Sequence, residues 1–182
     1  ELGLGHGYSA LEFRDRVGNY TILEGDNEVI HRFVGKYGGG ANIICTFFEE
    51  YEPNEKYDFI VAGFVLEHVD DPVFILNKYK TMLKQGGKIF IAVPNAESLN
   101  RRIGYEAGIL SDIRELSEMD LALGHKRYYT KESIISTCKQ AELRIKSVEG
   151  IYLKPFTTKQ ILSLKLNDTI IESLCTVGRD YP

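Results

Sequence analysis

Glu1-Leu2-Gly3-Leu4-Gly5-His6-Gly7 opens the chain, and an acid, Glu24, ends an apolar run twenty-one residues after Gly3. Three glycines spaced two apart allow a sharp turn and close backbone approach to a ligand, because no Cβ blocks positive φ. An acid about twenty residues beyond such a turn is where a doubly wound sheet holds a carboxylate against a ribose. One carboxylate can accept both ribose hydroxyls. Together the residues propose an adenosine-containing cofactor at the carboxyl ends of two neighbouring strands.

The glycine spacing narrows that cofactor. A dinucleotide fingerprint, G-x-G-x-x-G, puts its third glycine at position 8, where this chain has Tyr8; the third glycine is Gly7, one place early. A pyrophosphate needs bare backbone N–H groups at the helix start. S-adenosylmethionine carries no phosphate and does not. Further along, Phe48 offers an adenine ring a flat apolar wall and Glu49 an acceptor for its exocyclic amine, with Phe47 as the competing aromatic. Ala62-Gly63 end a strand, where small residues let carbonyls approach a ligand ammonium. His68, and second His125, are the candidate bases, the unperturbed imidazole pKa lying near 6.5. Each histidine could equally cap a helix or hold a loop. His6 and His31 read as incidental.

Elements must bring these residues together. Helices are predicted over Tyr8–Val17, from Asn27 as cap to about Tyr37, from Asp71-Pro72 to Lys84, from Thr130 to Ala141, and over Thr157–Val177. Strands are predicted over Tyr20–Leu23, Ala41–Cys45, Tyr57–Gly63, Lys88–Val93 and Leu143–Tyr152. A further strand is expected before Glu1 and another beyond Pro182, so the terminal strands read as incomplete. Strands and helices alternating at this spacing mean right-handed βαβ units: an α/β fold, doubly wound, with a mostly parallel sheet and helices on both faces. Residues 96–129, charged and less regular, are expected to cover the site. Arg101, Arg102, Lys126 and Arg127 in and near that stretch read as a solvated face, with a basic lip for an anionic acceptor as the other reading.

At 182 residues with 43% apolar and 26% charged content, the chain reads as one globular domain, 1–182. A net charge of −4 and a pI near 5.6 argue against a nucleic-acid surface. Cys45, Cys138 and Cys175 lack metal spacing and read as reduced, buried thiols of a cytoplasmic protein. No apolar run approaches membrane-span length.

The E-x-G-x-G-x-G opening, Glu24, Phe47-Phe48-Glu49, Tyr57 to His68 and Leu83-Lys84-Gln85-Gly86-Gly87 resemble, in order and spacing, class I S-adenosylmethionine-dependent methyltransferases. Leu66-Glu67-His68-Val69-x-Asp71-Pro72, Val93-Pro94-Asn95-Ala96-x-Ser98-Leu99 and Gly124-His125-x-Arg127-x-Tyr129-Thr130 resemble a bacterial subgroup related to the ubiquinone-biosynthesis O-methyltransferases. The resemblance implies a Rossmann-like methyltransferase fold and cofactor contacts from Glu1, Gly3, Gly5, Gly7, Glu24, Gly25, Phe48, Glu49, Ala62 and Gly63, with His68 and His125 catalytic. It implies methyl transfer to a hydroxyl or similar group of a small molecule or glycan precursor. A nicotinamide-dependent oxidoreductase and a catalytically silent binding module are the alternatives. Some relatives carry E-x-x-E-H near a metal; Phe64 stands where the first acid would be, so no metal is expected, with a metal built on Glu67, His68 and His125 as the other reading.

Overall fold

The computed structural model describes residues 1–53 and 55–182. They divide into two compact units, Glu1–Val93 and Pro94–Pro182.

The first unit is built on a parallel sheet. Strand β1 (Thr21–Glu24) pairs with β2 (Asn42–Cys45), and β3 (Tyr57–Gly63) with β4 (Leu83–Ala92), both parallel. Leu2 joins the two pairs, bridging Leu23 on one side and Ala62 on the other. Its N–H donates to Val61 O at 2.8 Å, and Gly3 N–H donates to Leu23 O at 2.8 Å. The spatial order is therefore β2, β1, the Glu1–Gly3 segment, β3, β4. The chain leaves that central segment towards β1, while β3 lies on its other side. This reversal of winding is the topological switch point of an open α/β sheet, where a crevice forms beyond the carboxyl ends of the strands.

Side chains alternate across a strand, and both faces of the central strands are buried. Ile22 joins Leu4, Ala10 and Phe33 in one cluster, supplied by helices α1 (Tyr8–Phe13) and α2 (Asn27–Tyr37). Leu2, Leu23, Ile60 and Ala62, of the opposite parity, are buried as well. Helix α3 (Pro72–Thr81) buries Ile75, Leu76 and Tyr79. Over β3 and β4 the Ile22 parity carries Phe59 and Phe90, which stay exposed and lean together at 6.0 Å.

Several boundaries differ from the predicted ones. Helix α1 stops at Phe13, where the chain enters turns. Asp26, not Asn27, caps α2, its carboxylate accepting Glu28 N–H at 2.7 Å. Asp71 caps α3 as predicted, accepting Phe74 N–H at 2.9 Å. That helix ends at Thr81, and Gly86-Gly87 lies inside β4 instead of before it. The register shifts there, between Tyr57 and Phe59. A Cβ on Gly87 would stand 3.0–3.1 Å from three backbone oxygens, so a side chain there would crowd the paired strands.

The second unit holds α4 (Leu99–Glu106), α5 (Glu118–Ala122), α6 (Lys131–Gln140), α7 (Thr158–Ser163) and α8 (Asp168–Gly178). Thr130 caps α6 in a reciprocal box with Ser133. Two expectations fail in this unit. Leu143–Tyr152 forms no strand among the described residues; Gly150 N–H instead donates to Arg179 O. The helix predicted over Thr157–Val177 is two helices, broken at Lys165 (φ +49) and restarted by the Asn167 cap. Cys45 is exposed, not buried, at the end of β2; Cys138 is buried, which pushes its thiol pKa up. No helix is long and apolar enough to cross a membrane among the described residues.

Candidate functional site

Gly3, Gly5 and Gly7 all have positive φ (+79°, +51° and +79°), the region only glycine enters freely. Their surroundings separate their roles. A Cβ at Gly7 would lie 2.4 Å from the buried Phe33 ring, so Gly7 is needed for packing α1 against α2. A Cβ at Gly3 would touch Val65 and Phe48 at 3.6 and 3.9 Å. Around Gly5 nothing lies within 4 Å, leaving the loop open to a ligand at its middle glycine.

Glu24 ends β1 beside this loop. Its Oε2 accepts Leu4 N–H at 2.9 Å and its Oε1 accepts Asp26 N–H at 3.0 Å. Each oxygen is thus held by one backbone donor and keeps a lone pair for another. An open cleft is lined by Glu24, Gly25, Asp26, Thr46, Phe47 and Phe48. Phe47 is 62% exposed, and its ring would stand 3.2 Å from a Cβ on Gly25. Phe48 is half-buried, its carbonyl accepting the Tyr79 hydroxyl at 3.0 Å. Both rings therefore border the cleft, and neither belongs to the core. Among the described residues the cleft lining includes two carboxylates and no cation.

Other predicted residues lie apart from that lining. Glu49 is exposed on the turn after Phe48 and does not line the cleft. The Glu1 carboxylate accepts the hydroxyls of Ser9 and Tyr20, which ties it to α1 and to the start of β1. Burial, then the bond to Glu1, raises the Tyr20 pKa. Ala62 is buried between Leu2 and Ile91, and Gly63 pairs with Ala92. Directly after Gly63, Phe64 has φ +57 and is 53% exposed, with its N–H donating to Ala92 O at 2.8 Å. A bulky residue in that region carries strain, which collects at functional edges.

The turn Val65–His68 follows, closed by His68 N–H to Val65 O at 2.9 Å. His68 is half-buried there. Glu67 is 0% exposed, and neither carboxylate oxygen has a hydrogen-bond partner among the described residues. Burial pushes its pKa up to about 7.

His125 belongs to the second unit. Its Nδ1 lies 3.6 Å from Asp120 Oδ1 and its ring meets Tyr128 edge-on. Burial raises the Asp120 pKa, but the Ser117 hydroxyl and N–H and the Tyr128 hydroxyl outweigh it and hold the carboxyl low. Arg101 is neither solvated nor a lip. It is buried, donates to Ile113 O and Glu115 O, and stacks 3.9 Å over the Tyr128 ring. Arg102 and Lys126 are exposed.

Sequence reasoning missed Asp26 and Thr46 in the cleft, Ser9 and Tyr20 on Glu1, and Asp120 beside His125. For Asp26 a signal existed: Asp followed two residues later by Glu28 and an apolar repeat is a helix-cap pattern. The others depend on which loops the fold brings together.

Comparison with known proteins agrees with this architecture. A methyltransferase-domain family profile matches residues 1–148. Curated relatives include ubiquinone biosynthesis O-methyltransferases from Parvibaculum lavamentivorans, 30% identical over 129 residues (69% of this chain, 49% of the relative). Another, from Actinobacillus pleuropneumoniae, is 26% identical over 140 residues (72% and 58%). The chain spans about half the length of the curated relatives it matches. An S-adenosylmethionine-dependent methyltransferase from Mesorhizobium loti superposes with TM-score 0.65 at 18% identity, covering 93% of this chain and 84% of its own. The plantazolicin methyltransferase BpumL, solved with S-adenosylhomocysteine, superposes with TM-score 0.60 at 21% identity, covering 95% and 68%. These likenesses establish a Rossmann-like methyltransferase fold, and with the profile match over most of its length the chain belongs to the methyltransferase-domain family.

Proposed function

We propose that the chain binds S-adenosylmethionine at the glycine loop and Glu24 and transfers its methyl group to a hydroxyl or similar nucleophile of a small molecule or glycan precursor. The observation that carries this reading is the Glu24 carboxylate, held by Leu4 and Asp26 N–H groups at the switch point with one lone pair per oxygen free for a ribose hydroxyl. The cleft chemistry fits. Two aromatic rings suit a purine, and two carboxylates without a cation suit a nucleoside and disfavour a pyrophosphate, which argues against a nicotinamide dinucleotide. Gly5 leaves room under the ligand. Gly25 and Phe48 line the cleft, and with Glu1, Gly3, Glu49, Ala62 and Gly63 they are proposed as further contacts.

The bound sulfonium supplies a good leaving group, so the chemistry asks little more of the protein. What the residues contribute is placement. Holding nucleophile and methyl carbon in line can account for roughly 7–11 kcal/mol of barrier. His68 and His125 stand as candidate bases for a poorly acidic acceptor.

Calorimetry with S-adenosylhomocysteine tests the reading. Removing the Glu24 carboxylate removes charge-assisted bonds of about 1.5–3 kcal/mol each, so Glu24→Ala is expected to weaken binding by more than about tenfold. His68→Ala is expected to change it less than about threefold. Equal losses from the two variants contradict the division of roles, and binding of NAD without either sulfur ligand ends the reading.

A further inference from the structure

Phe48, the aromatic wall proposed for the adenine, lies beyond the paired part of β2. Pairing of β1 with β2 ends at Glu24 and Cys45, after which Thr46 N–H donates to Glu24 O at 3.1 Å. The backbone then turns, Glu50 N–H donating to Phe47 O at 3.1 Å. From this turn Phe48 reaches both parts of the cofactor site. It lines the cleft with Glu24, and its ring atom Cζ lies 3.9 Å from where a Gly3 Cβ would be. A ring serves a purine only at stacking distance, and a turn that wanders loses binding energy to its own ordering.

Two consecutive residues of α3 tie the turn down. Lys78 Nζ donates to Glu52 Oε1 at 2.5 Å, and the Tyr79 hydroxyl donates to Phe48 O at 3.0 Å. The ties are unequal. The Glu52 side chain is 79% exposed, and an ion pair open to water contributes little. Tyr79 is 2% exposed and is buried from α3 together with Ile75 and Leu76. Close packing fixes its ring and so aims its hydroxyl. Burial also raises its pKa, so the phenol keeps its proton and stays a donor. All of these residues belong to the first unit.

We propose that Tyr79 is a positioning residue for the methyl donor: its hydroxyl holds the Phe48 carbonyl so that the Phe48 ring stands ready for the adenine. The proposal rests on the reading of the chain as a methyltransferase. Tyr79 acts through Phe48 and touches no reacting atom.

Calorimetric titration of S-adenosylhomocysteine into the full chain tests it, with Tyr79→Phe, Phe48→Ala and the double variant. One neutral hydrogen bond is at stake, so Tyr79→Phe is expected to weaken binding about fivefold. Phe48→Ala removes the stacking surface and is expected to weaken it about tenfold or more. With the wall gone the tie has nothing left to place, so the double variant is expected to bind within about twofold of Phe48→Ala. A hydroxyl that merely braced the core would weaken both backgrounds by the same factor. The proposal is overturned if Tyr79→Phe changes affinity by less than about twofold, if it costs more than about twofold on the Phe48→Ala background, or if Phe48→Ala binds like wild type. Loss of folding in Tyr79→Phe overturns it too, since the hydroxyl would then be holding the core. Failure of wild type to bind S-adenosylhomocysteine instead removes the methyltransferase reading beneath it.

Discussion

A carboxyl group with no partner inside a protein resists ionisation, and Glu67 makes that resistance a stability effect. Its pKa in the folded chain, about 7, lies above the ordinary 4.5. The folded state therefore holds the proton more tightly than the unfolded one. The contribution is fully present below about pH 4.5 and is lost as pH rises through about 7, reaching about 3 kcal/mol at most. Gln mimics the neutral acid. Urea denaturation is expected to show Glu67→Gln and wild type equally stable near pH 4, with the variant pulling ahead between pH 5 and 8; parallel curves across that range contradict the shifted acid. At this scale the sequence was half legible. Glu24 and Phe48 follow from spacing along one strand–helix unit, and the structure places both at the cleft. That Glu67 has no hydrogen-bond partner among the described residues, and that Tyr20 holds Glu1, depend on distances between segments far apart in the chain, which no local pattern carries.

Elements explain why three similar glycines are not interchangeable. Gly7 needs positive φ and also touching room, its missing Cβ being replaced by the Phe33 ring at 2.4 Å. Gly5 needs only the φ. Chemical denaturation is expected to show Gly7→Ala destabilised by about 2–4 kcal/mol, from left-handed backbone strain plus a clash in the core. Gly5→Ala is expected to lose only about 1–2 kcal/mol, the strain alone. Its larger effect should fall on S-adenosylhomocysteine binding; similar stability losses for both would contradict the contrast. Element types in the first unit were legible because βα alternation repeats with strong caps, as at Asp71. Boundaries were less so. Gly86-Gly87 reads as a stop, yet a bulged strand uses the same residues to bring β3 and β4 together. Lys165 at φ +49 breaks what apolar spacing alone makes one helix.

Across the whole molecule, ladder bonding is distributed unevenly between the units. In the first, the Glu1–Gly3 segment is bonded on both sides, and Leu23, Ile60 and Ala62 beside it are buried. In the second, Arg144–Glu149 follow α6 with no strand pairing among the described residues. An apolar alternation there predicts a strand, but a strand exists only with a partner beside it, and sequence pattern does not supply one. Opening free energies follow such differences, from near zero in unpaired segments to the global value in a buried sheet. Native-state hydrogen exchange is therefore expected to find the amides of Leu2, Leu23 and Val61–Ala62 the slowest in the chain. Lys146–Glu149 should exchange orders of magnitude faster at the same pH. Slow exchange over Lys146–Glu149 would mean that this segment pairs in solution, and the strand expected over Leu143–Tyr152 would have to be restored. The switch-point crevice would keep its place either way, because the bonds that build it run from Leu2 and Gly3 to Val61 and Leu23 and involve no residue beyond Val93.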